Sequence, residues 1–460
     1  MAPRRKAAPK PDAVDQGRRR SSRTAGREVA NDPTPAAPAA EIKDLKKANA
    51  VARKKDTAES KAVTPGLPVR PTNLIQYLDG FMRRDKSTKQ LLAEFKRQLL
   101  ADNILKFEVK PPTAGLQFQQ LARITCIEWH PNQPELCAFG SKTGEIVLWN
   151  SSAPDKRTGT PPMGNGGSVA AMKFLKGDAQ RMYTATLLGR VMLQDFGGAQ
   201  PQVFSDTNSH EVWFTALDVC YQQKLILAGD NVGKVYAFSP EGKVLWPNPV
   251  RLHKSKVKHI EFSKKDPNLV LTASVDHTVK LWDARRLTGQ KDFLFSLEHK
   301  HGVNSGYFSR VDGNSILTTD QNHELRVYRG PLWQDVTIIR QPHRQFQHLT
   351  AMQATWHPSE DFVVVGRYPD PKFKQKDLRG IDLFDGHAGV MLGKIRSSLA
   401  LSGIYCLNSF NCSGEILASG MGENQSTSSW IMELEMRQLD PAGIQLDCLI
   451  SSSIIQLEVD

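Results

Sequence analysis

The segment TASVDHTVKLWD (Thr272–Asp283) decides the fold. It is a short apolar stretch, a tight turn and then a strand whose apolar residues, Val279 and Leu281, alternate with Thr278 and Lys280. Working outward, five further segments align on the same turn and strand: GEIVLWN ending at Asn150, GRVMLQD at Asp195, GKVYAFS at Ser239, HELRVYR at Arg329 and RGIDLFD at Asp385. The six endpoints, Asp283 included, are separated by 45, 44, 44, 46 and 56 residues. Each segment follows another short β-like run: CAFGS, MYTAT, LILAG, VLTAS, ILTTD and VVVGR. The longer last interval has a visible source in the polar insertion YPDPKFKQKDL at 368–378.

A period near 44 with several short strands per unit is the signature of an all-β propeller of the WD40 type. A seventh unit opens at SGIYCLNSFNCSGEILASG (402–420), so seven blades are expected. The closing strand of that unit should occupy 422–428, but the chain there reads GENQSTS, followed by SWIMELEM. Either a displaced strand starts near Trp430 or the last blade is incomplete. Closure by an N-terminal strand is expected within LQFQQLARIT (116–125), and an unpaired edge at that point would promote aggregation. In the fourth unit His277, Ser274 and Trp282 are candidates for the hydrogen-bonded network of a blade. The propeller is placed at 115–430 and a divergent tail at 431–460.

Of the net charge of +12, residues 1–55 carry +9, from 15 Lys and Arg against 6 Asp and Glu. No aromatic residue precedes Tyr77, so residues 1–65 cannot bury enough apolar surface to offset chain entropy and are expected to be a disordered basic tail. Such a tail, with PRRK and GRRRSSR, suits loose nucleic-acid binding or nuclear import, or merely solubilises the chain. Between 72 and 103 two amphipathic runs predict a helix–loop–helix. Leu74, Ile75, Leu78, Phe81 and Met82 share one face, and Leu91, Leu92, Phe95, Leu99 and Leu100 form the second, opened by a Ser87/Gln90 capping box. These faces either pack on the main domain or form a partner-docking arm.

The longest apolar runs fall far short of the roughly 20 residues of a membrane-spanning helix. The N-terminus lacks the apolar region of a secretory signal, and six scattered cysteines without a CxxC indicate neither a zinc cluster nor a disulfide framework. The expectation is an intracellular, non-membrane protein without metal or cofactor. No HExxH, GxSxG or phosphate-binding loop occurs, and GNGGS (164–168) lacks the Lys such a loop needs, so a binding platform rather than an enzyme is expected. One connection stands out: IIRQPHRQFQHLTAM places His343, Arg344, Phe346, Gln347 and His348 together. Cations that neutralise phosphate, beside an aromatic able to wedge between bases, are what nucleic-acid recognition needs; otherwise Phe346 tucks under the loop as a local core residue. A second basic loop, RLHKSKVKH (Arg251–His259), lies at another blade junction, and the two loops could line one face.

The segments GDNVGKV, TASVDHTVKLWD, HRQFQHLTAM and VVVGRYPDPKFK closely resemble those of the small WD40 subunits of UV-damaged-DNA-binding complexes. The resemblance covers roughly 65–422 and fails at GENQSTS, where the family continues with an apolar strand. It implies recognition of damaged double-stranded DNA in nucleotide excision repair, with Phe346, Gln347 and His348 as a wedge at a flipped-out photodimer. Flipping costs less where a lesion has already weakened the stack, which would provide the selectivity. The resemblance further implies that Lys254, Lys256, Arg344 and Arg367 hold phosphates or line the lesion pocket. It also implies docking on the large multi-propeller adaptor of a cullin–RING ubiquitin ligase through Trp282, Asp283 and Arg285 and through the helical arm with Leu78, Phe81, Leu92 and Phe95. Such a receptor would be nuclear and close to histones and chromatin. The alternative is a WD40 scaffold that binds a protein or histone peptide and never reads lesions.

Overall fold

The six repeated segments become the third strands of six four-stranded antiparallel sheets, each built from four strands consecutive in the chain. The structure, a computed structural model, describes residues 88–110, 123–153, 157–164, 166–207, 211–344, 350–368, 380–395, 404–421 and 431–435. Sheet one comprises Ile124–Trp129, Leu136–Ser141, Ile146–Asn150 and Arg157–Gly159; sheet two Val169–Phe174, Arg181–Thr186, Arg190–Asp195 and Gln202–Asp206. Sheet three comprises Phe214–Cys220, Leu225–Asp230, Lys234–Phe238 and Val250–Arg251; sheet four Val257–Phe262, Leu269–Ser274, Thr278–Asp283 and Phe295–Glu298. Sheet five comprises Val303–Phe308, Ser315–Asp320, Asn322–Arg329 and Asp335–Arg344; sheet six Thr355–Trp356, Phe362–Gly366, Ile381–Asp385 and Met391–Ile395.

The remaining sheet is of a different make, so six blades of consecutive strands stand where seven blades were expected. Tyr405–Phe410 and Ile416–Met421 pair with Ile431–Glu435, and the outer edge of that strand takes Glu108–Lys110 from the other end of the propeller sequence. The strand near Trp430 therefore exists. The N-terminal strand, however, lies ahead of LQFQQLARIT, whose last residues, Ile124 and Thr125, open sheet one instead. The propeller thus reaches beyond the 115–430 expected for it at both ends.

First strands lie side by side around an axis and run parallel. Thr125 Oγ1 donates to Val169 O and Lys173 Nζ to Glu128, offsets of 44 and 45 residues; Phe262 N donates to Asp218 and Phe308 N to Glu261, offsets of 44 and 47. With every first strand pointing the same way, the chain enters each sheet at one end of the axis, and the turns between second and third strands share that end. We call it the entry end. In those turns the backbone adopts positive φ at Gly144, Gly189 and Gly233, and at His277 and His323 in sheets four and five.

Apolar clusters fill the space between neighbouring sheets, as with Val235, Leu252, Ile260, Val270 and Trp282 between sheets three and four. The helix Thr88–Leu105 packs against sheet six and the composite sheet, where Ala101, Ile104 and Phe107 join Phe362, Ile395, Phe410 and Leu417 in one cluster. Its Arg97 lies 4.4 Å over the Phe362 ring and pairs with Glu360 at 2.8 Å and Asp385 at 3.0 Å. The second half of the expected arm is therefore part of the propeller body. The first half, with Leu78 and Phe81, lies outside the described residues, as do the basic tail, the 369–379 insertion and the last 25 residues.

Candidate nucleic-acid interface

Sheet four shows how the entry end is made rigid. Trp282 Nε1 donates to Thr272 Oγ1 at 2.8 Å; Thr272 Oγ1 lies 2.7 Å from His253 Nε2, and His253 Nδ1 lies 2.9 Å from Asp276. Since an indole nitrogen only donates, a carboxylate only accepts and a neutral imidazole carries one N–H, the chain runs one way: Trp282 to Thr272, Thr272 to His253, His253 to Asp276. Burial lowers the His253 pKa and keeps the ring neutral, as that direction requires. Burial acts to raise the Asp276 pKa, but bonds from His253, Thr278 and the Lys254 amide outweigh it and hold the carboxylate ionised. The network expected at His277, Ser274 and Trp282 is thus corrected in two members. His277 is exposed in the turn and Ser274 bonds Ser255 O, while His253 and Thr272 occupy the network.

This network fixes the basic loop before sheet four. Asp276 accepts from Lys254 N at 2.9 Å, and Lys256 O accepts from Val275 N at 3.1 Å. The Lys254 side chain is left in solvent, and Lys256 Nζ stands 5.8 Å from the Trp213 ring, a half-buried indole entering sheet three. Trp213 was not singled out from sequence; only its place three residues after a repeat junction could have marked it.

The second basic loop leaves sheet five at the same end. Phe346, Gln347 and His348 lie outside the described residues, but both stems of their loop are described. On one side His343 is buried, its ring nitrogens 3.0 Å from Gln341 O and 3.0 Å from Asp320 O, and its amide donates to His323 Nδ1 at 3.3 Å. Arg344 ends the strand, paired through the backbone with Asn322. On the other side residues 350–354 leave the ladder of their own sheet, where only Thr355 and Trp356 pair. Thr350 Oγ1 donates to Ile124 O at 2.6 Å, Gln353 N to Cys406 O at 3.1 Å, Asn304 Nδ2 to Met352 O at 3.2 Å and Ala354 N to Thr319 Oγ1 at 3.0 Å. Sheets one and five and the composite sheet therefore anchor residues 350–354, a segment that belongs by sequence to sheet six.

Arg367 sits at the entry end after the second strand of sheet six, but it is a buried ion-pair member. Its Nε and Nη2 donate to Asp382 Oδ2 at 2.9 and 2.7 Å, and Gln341 Nε2 donates to the same oxygen at 2.8 Å. Its charge is neutralised there, so it differs in kind from the solvent-facing Lys254.

Asp283 and Arg285 lie at the end opposite the entry end. Arg285 is exposed and grips Asp283 with two bonds, at 2.9 and 2.7 Å; these bonds pull the Asp283 carboxyl down to about 2. Asp385, which ends the third strand of sheet six as Asp283 does that of sheet four, receives Arg97 from the helix instead. Trp282, expected as a docking residue, is fully buried in the network above and presents nothing to a partner. On the helix Phe95 is half-buried, while the Leu92 side chain lies outside what is described.

Along the axis runs a cavity of about 560 Å³, lined by the first strands. Lys173 crosses it to Glu128 at 3.1 Å and Asp218 at 3.8 Å. Burial and the neighbouring Asp218 charge push the Glu261 carboxyl up to about 7, and burial drives the His259 imidazole down to about 3. Among the described residues no cluster of His, Cys, Asp or Glu could hold a metal ion.

A ring of four-stranded sheets with a Trp–Thr–His–Asp network, presenting basic loops at one end of its axis, defines a WD40 β-propeller. Residues 249–283 match the family model described as WD domain, G-beta repeat. The chain is 44% identical over 304 residues to DNA damage-binding protein 2 of Bos taurus, spanning 65% of this chain and 70% of that protein. It is 39% identical over 303 residues to the protein of that name from Danio rerio, 66% of this chain and 60% of the relative. It is 28% identical over 325 residues to Protein DAMAGED DNA-BINDING 2 of Arabidopsis thaliana, 65% and 56% respectively. The chain belongs to the DNA damage-binding protein 2 family.

Proposed function

We propose that the entry end of this propeller binds damaged double-stranded DNA. The observation that carries the reading is the convergence of two clamped loops at that end. The Lys254–Lys256 loop is fixed by Asp276, and the loop through Arg344 and 345–349 has both stems anchored. In this reading Lys254, Lys256 and Arg344 hold phosphates, and Phe346, Gln347 and His348 wedge into the duplex where a photodimer flips out. Anchored stems suit a wedge, because fixing both ends of the segment in advance reduces the entropy lost on insertion. The composite sheet then completes a seven-bladed ring. The far end, with Arg285 and the helix, faces the adaptor of a cullin–RING ubiquitin ligase, so that the protein acts as a substrate receptor in nucleotide excision repair in the nucleus, near histones.

The test is binding of the full chain to a short duplex with one photodimer and to its undamaged twin at fixed near-physiological salt. Combined alanine substitution at Phe346, Gln347 and His348 is expected to abolish the preference for damage while leaving weak general binding. Lys254→Ala and Lys256→Ala are each expected to weaken binding to both duplexes and to reduce the salt slope by about 1. Equal, weak binding of the two duplexes by folded protein would overturn lesion reading and leave the scaffold reading.

A further inference from the structure

The second residue of each first strand sits at a register shift in sheets one to five and in the composite sheet, where the chain bulges toward its neighbour. In sheets one, three and five that residue is Thr125, Thr215 or Asn304, and its side chain donates to a carbonyl of the next sheet: Val169, Val257 and Met352. In sheet two it is Ala170 and in the composite sheet Cys406. Sheet four places Lys258 there. Lys258 lines the axial cavity, as the second residue of a strand that starts at the entry end and two residues after Lys256.

The carboxylates that share this cavity, Glu128, Asp218 and Glu261, are the fifth residues of their strands, further from the entry end, and Lys173 engages two of them. Lys258 meets a different environment. Burial, and then the positive charge of Lys256, bring its pKa down to about 8, with no carboxylate among the causes. A lysine desolvated beside another cation is how amines are activated as nucleophiles toward carbonyls. With a value near 8, about a tenth of the molecules carry the free amine at pH 7.

We propose that Lys258 is a reactive amine that captures the aldehyde of a ring-opened abasic sugar in DNA presented at the entry end. The inference rests on the DNA-binding reading above. An abasic sugar has no base to unpair or unstack, so its displacement toward the cavity costs less than flipping an intact nucleotide. The Nζ lone pair attacks C1′ as the C=O π bond breaks, one proton passes from Nζ to that oxygen to give a carbinolamine, and the hydroxyl leaves with the second Nζ proton as water, so that a C1′=Nζ imine remains. One aldehyde and one amine give one imine and one water, with no oxidant or reductant, and hydrolysis reverses the step.

The experiment incubates the full chain with a duplex carrying one aldehydic abasic site and adds borohydride, which reduces the imine to a stable secondary amine. The covalent adduct is quantified on a denaturing gel and located by peptide mapping. A parallel duplex carries the tetrahydrofuran analogue, which has the same gap and no aldehyde, and reports binding alone. The expected result is an adduct on Lys258 whose yield falls at least tenfold in Lys258→Ala and in Lys258→Arg, with tetrahydrofuran binding retained in Lys258→Arg, which keeps the cation. Adducts only on lysines of the N-terminal segment, or an undiminished yield in Lys258→Arg, would overturn the inference. If the tetrahydrofuran duplex binds no better than intact DNA, the abasic inference fails, while preference for the photodimer duplex, measured alongside, decides the damage-binding reading separately.

Discussion

Thr272 carries the most consequence per atom of any residue in sheet four, because one hydroxyl serves both Trp282 and His253. Thr272→Val keeps the shape and leaves two buried nitrogens without a partner, so it is expected to lower unfolding stability by about 2–4 kcal/mol in a denaturant titration. Glu261 makes the opposite point. Its proton is held up to about 7 in the folded protein against an ordinary 4.5, so between those values the folded state binds more protons than the unfolded one. Stability contributed by this group is therefore full below pH 4.5 and declines as pH rises to 7. Glu261→Gln keeps an acceptor for Phe308 N and removes the titration. It is expected to leave stability at pH 5 nearly unchanged and to raise it at pH 8 by about 1–2 kcal/mol, allowing for water in the cavity; thermal unfolding at the two values checks this. At this scale the sequence was only partly legible. Trp282 advertised a network, but many histidines precede first strands, and only the folded turn at Asp276 selects His253. The pairing of Arg367, which the resemblance offered for phosphates or the lesion pocket, was not visible because Asp382 sits on the facing strand beyond a long polar insertion.

Third strands were the most legible elements, since each combines a turn with a short apolar strand at a near-constant interval, and all six of them lie where their segments predicted. Less visible was why the second strands end in small residues. A Cβ added at Gly366 would stand 1.6 Å from Tyr405 O, and at Gly229 or Gly140 it would press on Val257 or on Cys126 and Val169, so neighbouring sheets approach through these points. Gly366→Ala meets backbone rather than a movable side chain and is expected to destabilise the protein by about 2–3 kcal/mol, with loss of packing between sheet six and the composite sheet visible as faster hydrogen exchange there. The irregular segment 350–354 had no sequence signature. Its backbone bonds sheet five and the composite sheet and its Thr350 hydroxyl bonds sheet one, and periodicity along one strand carries no record of such partners. The candidate wedge was legible as a composition anomaly, whereas its anchoring was not.

For the whole molecule the decisive element is the composite sheet. A chain ending at Met421 would leave the Ile416–Met421 edge and Glu108–Lys110 without their shared partner. It is expected to lose the single cooperative transition of the intact chain and to aggregate on warming, as read by calorimetry and size-exclusion chromatography. The sequence offered a displaced last strand as one of two readings and placed its N-terminal mate within 116–125 rather than at 108–110, because three residues, Glu-Val-Lys, are too few to signal a strand. The same pairing sets a schedule for synthesis. Glu108–Lys110 leaves the ribosome 321 residues before Ile431, a wait of roughly 15–60 s at ordinary elongation rates. Six sheets can assemble behind it during that time, but the ring cannot shut. The newborn protein spends that interval as an open arc with a sticky strand at each end, the period in which a chaperone, or a neighbouring copy still being translated, has its opportunity.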